Sequence, residues 1–204
     1  MLRRVNGGSD FQSGRRLPEV AGLLLLFATC MAAGTPDSGT KIKPEFYLAG
    51  ITKYSSGNGS SATHDTVSAT AALTVYPEAR PYYGGWFVNY SHSLSKQFDD
   101  NLNLGAYFRY NLAKWDSTTW LFVNQSPGNS DTWMYASRLR YRVSENCKLG
   151  IEAVAPVADA DAPKLMLGHY SSVSESLSLN VLVGTDVKGG ADLEAQLELS
   201  WQFH

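Results

Sequence analysis

The chain has 204 residues, with 17 Lys and Arg against 19 Asp and Glu, a formal net charge of −2 and only 18% charged residues. That is material for one domain, and so little positive charge excludes the electrostatic footprint of a nucleic-acid-binding protein. The two cysteines, Cys30 and Cys147, are too few for a disulfide framework and are not spaced as zinc ligands, so no redox chemistry, metal or cofactor is indicated.

At the N-terminus Arg3, Arg4, Arg15 and Arg16 precede the apolar run from Val20 to Ala33, with small residues before Thr35 and Pro36. The run is shorter than the roughly 20 residues of a membrane-spanning helix, and its flanks are those of a secretory signal peptide. Residues 1–34 are read as that signal, 35–44 as a short linker and 45–204 as the folded domain.

The domain alternates. Strands are predicted at 45–54, 66–76, 82–94, 101–112, 117–124, 131–143, 147–155, 164–172, 177–187 and 191–203. Gly-, Ser-, Pro- and Asp-rich loops are predicted at 55–65, 126–131 and 156–163. The first and fifth segments carry the weakest pattern; without them the count is eight, with 113–130 as one long loop. The last segment decides the class. Leu193, Ala195, Leu197, Leu199, Trp201 and Phe203 alternate without a miss against Asp192, Glu194, Gln196, Glu198, Ser200 and Gln202. A helix would scatter these apolar positions, whereas a strand gathers them on one face.

Two features point to lipid on that face. All five tryptophans and most tyrosines of the domain, Tyr54, Tyr76, Tyr82, Tyr83, Trp86, Tyr110, Trp115, Trp120, Trp133 and Trp201, fall near segment ends, where a membrane interface places them. Arg138, Arg140 and Arg142 share the opposite face from Leu139 and Tyr141. Each would cost about 2–4 kcal/mol in hydrocarbon, so they are expected to turn inward and to pair with Glu152, Glu194 and Glu198. An open sheet would leave unpaired backbone groups in lipid, so the predicted fold is all-β, a closed antiparallel up-and-down transmembrane β-barrel of 8 to 10 strands.

With these features the chain resembles small bacterial outer-membrane β-barrel proteins of the OmpA/OmpX-type and porin-like families. The resemblance implies a Gram-negative cell-envelope protein sited in the outer membrane, contacting its lipids. It also implies that Leu197, Leu199, Trp201 and Phe203 form the C-terminal signal read by the barrel assembly machinery, with His204 a departure because it follows the terminal Phe.

Three functions are compatible with such a barrel. The main expectation is a structural or interaction protein with an ion-paired interior and loops 55–65 and 113–131 offered to an extracellular ligand. The alternative is a narrow porin-like channel for small solutes, anions included, lined by the arginines. The third is a lipid A deacylase-like hydrolase, in which His169 and Ser171 share one strand face as base and nucleophile with Glu175 orienting the histidine. No catalytic residue is assigned. His92 reads as a rim histidine, His64 as a solvated loop residue, and Asp159 with Asp161 as a solvated acidic loop.

Overall fold

Period-two patterning with polar side chains on one face and apolar ones on the other yields strands that must close on themselves if the apolar face is to meet hydrocarbon. The structure, a computed structural model, describes residues 40–57, 60–77, 80–95, 98–159, 163–187 and 193–203. The expected signal peptide at 1–34 lies outside the described residues, as does Asp161.

Ten strands follow in chain order: β1 Thr40–Gly57, β2 Ser60–Pro77, β3 Tyr82–Ser93, β4 Asn101–Asn111, β5 Trp115–Gln125, β6 Thr132–Ser144, β7 Cys147–Pro156, β8 Lys164–Ser172, β9 Leu177–Asp186 and β10 Leu193–Phe203. Each pairs antiparallel with its sequence neighbours, and β1 pairs with β10 from Phe46↔Phe203 to Ser56↔Leu193, sealing the ring. The eight-strand alternative falls, because 113–130 contains β5, paired on both sides.

Two boundaries differ from expectation. β1 begins at Thr40, so residues 40–44 of the expected linker are strand. Pro44 is tolerated there because 40–45 pair with β2 alone, where a missing N–H breaks no second ladder. Residues 55–57 and 60–65, read as loop, belong to the β1–β2 hairpin: Ser55 and Ser56 still pair with Glu194 and Leu193 of β10, whereas 60–65 run beyond Thr66↔Ser93, the upper limit of pairing with β3. Both faces of that overhang meet water, so its Ser and Thr residues carry no alternation to betray a strand.

Directly paired residues share a face, so register reads out the two surfaces. Phe203, Phe46, Ala71, Val88, Leu104, Val123 and Trp133 are joined by successive pairings into one apolar outer row over seven strands. A second such row runs Leu139, Ile151, Leu167, Val183, and Leu167 is 70% exposed. The outer aromatics Tyr82, Tyr110, Trp115 and Tyr141 cluster at the rim where β1 starts and β10 ends, with Trp115 against Tyr141 at 4.8 Å between ring centroids, whereas Tyr76, Tyr83 and Trp120, expected at the interface, stand at the opposite parity and face the interior.

At that rim the connections are 78–81, 112–114, 145–146 and 173–176; at the other they are 58–59, 94–100, 126–131, 157–163 and 187–192. None exceeds seven residues. In 126–131 the chain turns through Gly128, whose φ of 78° favours a residue without a side chain.

Candidate functional site: the barrel lumen

The inner face carries a cavity of about 740 Å³. Its lining runs from Glu145, Asn146 and Ser174–Ser176 at the terminal rim up to Ser68, Asn89 and Asn103. Ten strands leave more interior than the eight that side chains alone can fill. Part of that interior is occupied where Met166, Tyr170 and Leu182 pack together on β8 and β9.

One wall is cationic. Register places Asp116 opposite Arg140 on β5 and β6, and Arg138 opposite Glu152 on β6 and β7. Asp116, almost fully buried, accepts from Arg140 at 2.6 Å and from Lys148 Nζ at 2.6 Å, and lies 3.7 Å from the Arg109 guanidinium. Arg138 Nε donates to Glu152 Oε1 at 2.5 Å, and its guanidinium lies 5.2 Å from the Trp120 ring centroid and 5.0 Å from that of Tyr170. Four cations thus share two carboxylates on β4 to β7.

Tyr170 ties this wall together. Its hydroxyl donates to Glu152 at 3.0 Å and its ring lies 5.2 Å from Arg140. The ring reclines over Gly168, where a Cβ would collide with the phenol; only glycine leaves that bed empty.

The part of the β10–β1 wall that lines the cavity is acidic, carrying Glu45 and Glu198, while Lys41, Lys43 and Lys53 share the parity of Glu45 on β1 but lie outside that lining. Glu45, 8% exposed, accepts from Thr74 at 2.7 Å and from Tyr47 and Tyr76 at 3.0 Å each, and Thr74 in turn is bonded to Tyr107. Glu198 accepts from Gln196 at 3.5 Å and lines the cavity. Among the described residues neither carboxylate has a Lys or Arg nitrogen within 4.0 Å.

Above these walls an uncharged row crosses four strands. Asn89 donates to Thr70 at 2.8 Å, Asn103 to Asn89 at 3.2 Å and Asn124 to Asn103 at 2.8 Å, each pair being direct register partners. Every amide keeps donor and acceptor capacity beyond its bonds within the row.

The six expected lumen charges separate in this geometry. Arg138 meets Glu152 as anticipated, Arg140 takes Asp116, and Glu194 takes Lys164 at 2.5 Å. Arg142 is exposed at the end of β6, where it pairs in register with Lys148 beside a bulge, and it makes no ion pair among the described residues. Sequence reading missed Asp116, Arg109, Lys148 and Glu45. Arg109 was open to discovery, since it shares parity with Asn103 against Leu104 and Phe108. Leu197, Leu199, Trp201 and Phe203 all stand exposed on the outer face.

His169 and Ser171 also face outward. Ser171 Oγ is 3.3 Å from His169 Nδ1, but Nε2 contacts Cys147 Sγ at 3.3 Å, and among the described residues no carboxylate, Glu175 included, bonds the ring. His64, expected in a loop, stands on β2 and stacks on Phe98 with centroids 4.1 Å apart. No group of three His, Cys, Asp or Glu able to hold a metal occurs among the described residues.

At the upper rim, Asp100 gathers the Tyr90 hydroxyl at 2.6 Å, His92 Nδ1 at 2.9 Å and the Ser93 N–H at 3.0 Å. Burial raises this carboxyl, but the three donors outweigh it and hold it below the usual carboxylate range. A depressed folded value stabilises above the unfolded one and is lost as pH falls through the acid range. Asp100→Asn is therefore expected to lower stability at pH 7 by about 1 kcal/mol. Thermal midpoints of the two proteins are expected to converge only as pH falls through the depressed folded value of Asp100; a gap of constant size down through the acid range would contradict the charge-based account.

No protein-family model matches the chain, and no curated protein is similar to it in sequence. Solved structures are similar in fold. The KdgM porin aligns with a TM-score of 0.53 at 8% identity, covering 76% of this chain and 99% of that one. The KdgM porin in complex with disordered oligogalacturonate aligns with a TM-score of 0.51 at 8% identity, covering 78% and 99%. The fold is that of the small outer-membrane β-barrel porins.

Proposed function

We propose that the chain is a narrow porin-like channel of the bacterial outer membrane that passes small polar solutes, anionic ones among them. The observation that carries this reading is the polar, cation-walled cavity of about 740 Å³ in a barrel whose connections are all short. The structural likeness to a porin that binds an acidic oligosaccharide supports it over a purely structural role. The rim where β1 starts and β10 ends, with its shorter turns, fits the periplasmic rim of such barrels, with the remaining loops outside.

Planar-bilayer recording on the refolded protein tests the reading. Discrete conductance with chloride favoured over potassium is expected, and Arg109→Gln, which removes one cation while Asp116 keeps Arg140 and Lys148, is expected to weaken that preference. Folded protein that leaves bilayers silent would turn the assignment to the structural and interaction role, for which the Met166, Tyr170 and Leu182 packing is the favourable observation.

We propose further that the exposed side chains of Leu197, Leu199, Trp201 and Phe203 serve as the assembly signal. Phe203→Ala is expected to reduce the heat-modifiable barrel recovered from outer membranes several-fold while leaving refolding in detergent unchanged. Equal losses in both would mean that Phe203 acts in folding alone.

A further inference from the structure

We infer that the lumen is built to accept a small zwitterion, such as an amino acid or dipeptide, with Glu198 receiving its ammonium end. This rests on the channel reading above and names the solute class that the lumen favours.

The argument starts from topology. In a closed ring of ten, β6 and β1 are five strands apart in either direction, so their inner faces oppose one another. The cationic wall centres on Arg138 and Arg140 of β6; the opposing charge at the cavity is that of Glu45 on β1 and Glu198 on β10. Were neutralisation the only purpose, Glu198 would sit against a cation, as Asp116 and Glu152 do. Instead it faces Arg138 across the lumen, close enough for their charges to interact but beyond ion-pair distance.

Lys53, the nearest cation along β1, is one diagonal position away on the same face and is likewise outside ion-pair distance. Glu194, two residues along β10, is occupied by Lys164. Glu45 is a poor acceptor for solute, because it is buried and three hydroxyls occupy its oxygens, so it contributes charge to that wall while Glu198 offers contact.

Opposed charges across a narrow passage with low-dielectric walls create a transverse field. A simple anion gains at one wall and is repelled at the other, and a simple cation meets the reverse. A molecule carrying carboxylate and ammonium gains at both, with its carboxylate toward Arg140 and Lys148.

Swelling of proteoliposomes in two solutes of nearly equal size separates these cases: glycylglycine, a zwitterion, and N-acetylglycinamide, which is neutral. For the native chain glycylglycine is expected to enter about threefold faster, the scale of a partly solvated ion pair. Glu198→Gln, which keeps shape, is expected to bring the ratio near one and to raise chloride preference in bilayers. In the unaltered protein, KCl near 1 M is expected to do the same to the ratio by screening, which needs no variant to fold. Equal entry of both solutes into native liposomes, or a ratio that survives Glu198→Gln, would overturn the inference while measured conductance kept the channel reading intact. Absence of both entry and conductance would overturn the two together.

Discussion

Asp116→Ala is expected to destabilise the barrel by about 3 kcal/mol, read as a lower urea midpoint for unfolding from detergent micelles or vesicles. The carboxylate is 6% exposed and is shared by Arg140, Lys148 and Arg109. Its loss leaves three cations converging from β4, β6 and β7 with no counter-charge between them. The cost arises from the charges left behind more than from the bonds removed. Adding Arg140→Met should therefore restore part of the loss, a coupling that a double-mutant cycle isolates. If the two substitutions simply add, the wall is wet enough to hydrate its own cations and the account of Asp116 as its anchor fails.

Leu167→Arg is expected to cost about 2–4 kcal/mol in a lipid bilayer, because the residue lies in the outer apolar row and a guanidinium there faces hydrocarbon. The same replacement should be milder in detergent, whose micelle deforms around a charge more readily than a bilayer does. Comparing unfolding midpoints in the two media distinguishes a lipid-facing position from a packed one. A cost that is negligible in bilayers would mean that this row does not touch acyl chains.

Strand positions were legible wherever one face met lipid and the other met the polar lumen, since the two solvents write opposite residue types at alternate positions. β3 to β10 accordingly fall within two residues of expectation at each end. Pattern failed where the environment is the same on both sides, as in the upper β1–β2 hairpin, and at Trp115 and Asp116, where strand β5 starts on a segment that reads as a turn. Parity turns Arg138 and Arg140 toward the face that lines the cavity, yet it could not name the partner of Arg140. Partners depend on cross-strand register, and register was open while the start of β5 was uncertain. Glu45 was hidden for a similar reason, at the edge of the expected linker and with no cation beside it to suggest a role.

The pairing of β1 with β10 imposes an order of events on the making of this molecule. Phe46 finds Phe203 only after every strand between them has been made, so the first strand waits for the last. Until then both margins carry unsatisfied backbone, a template for wrong partners. Closure joins residues distant in sequence, which makes it slow by topology and makes the finished cylinder all-or-none: no subset of staves can stand while the hoop is open.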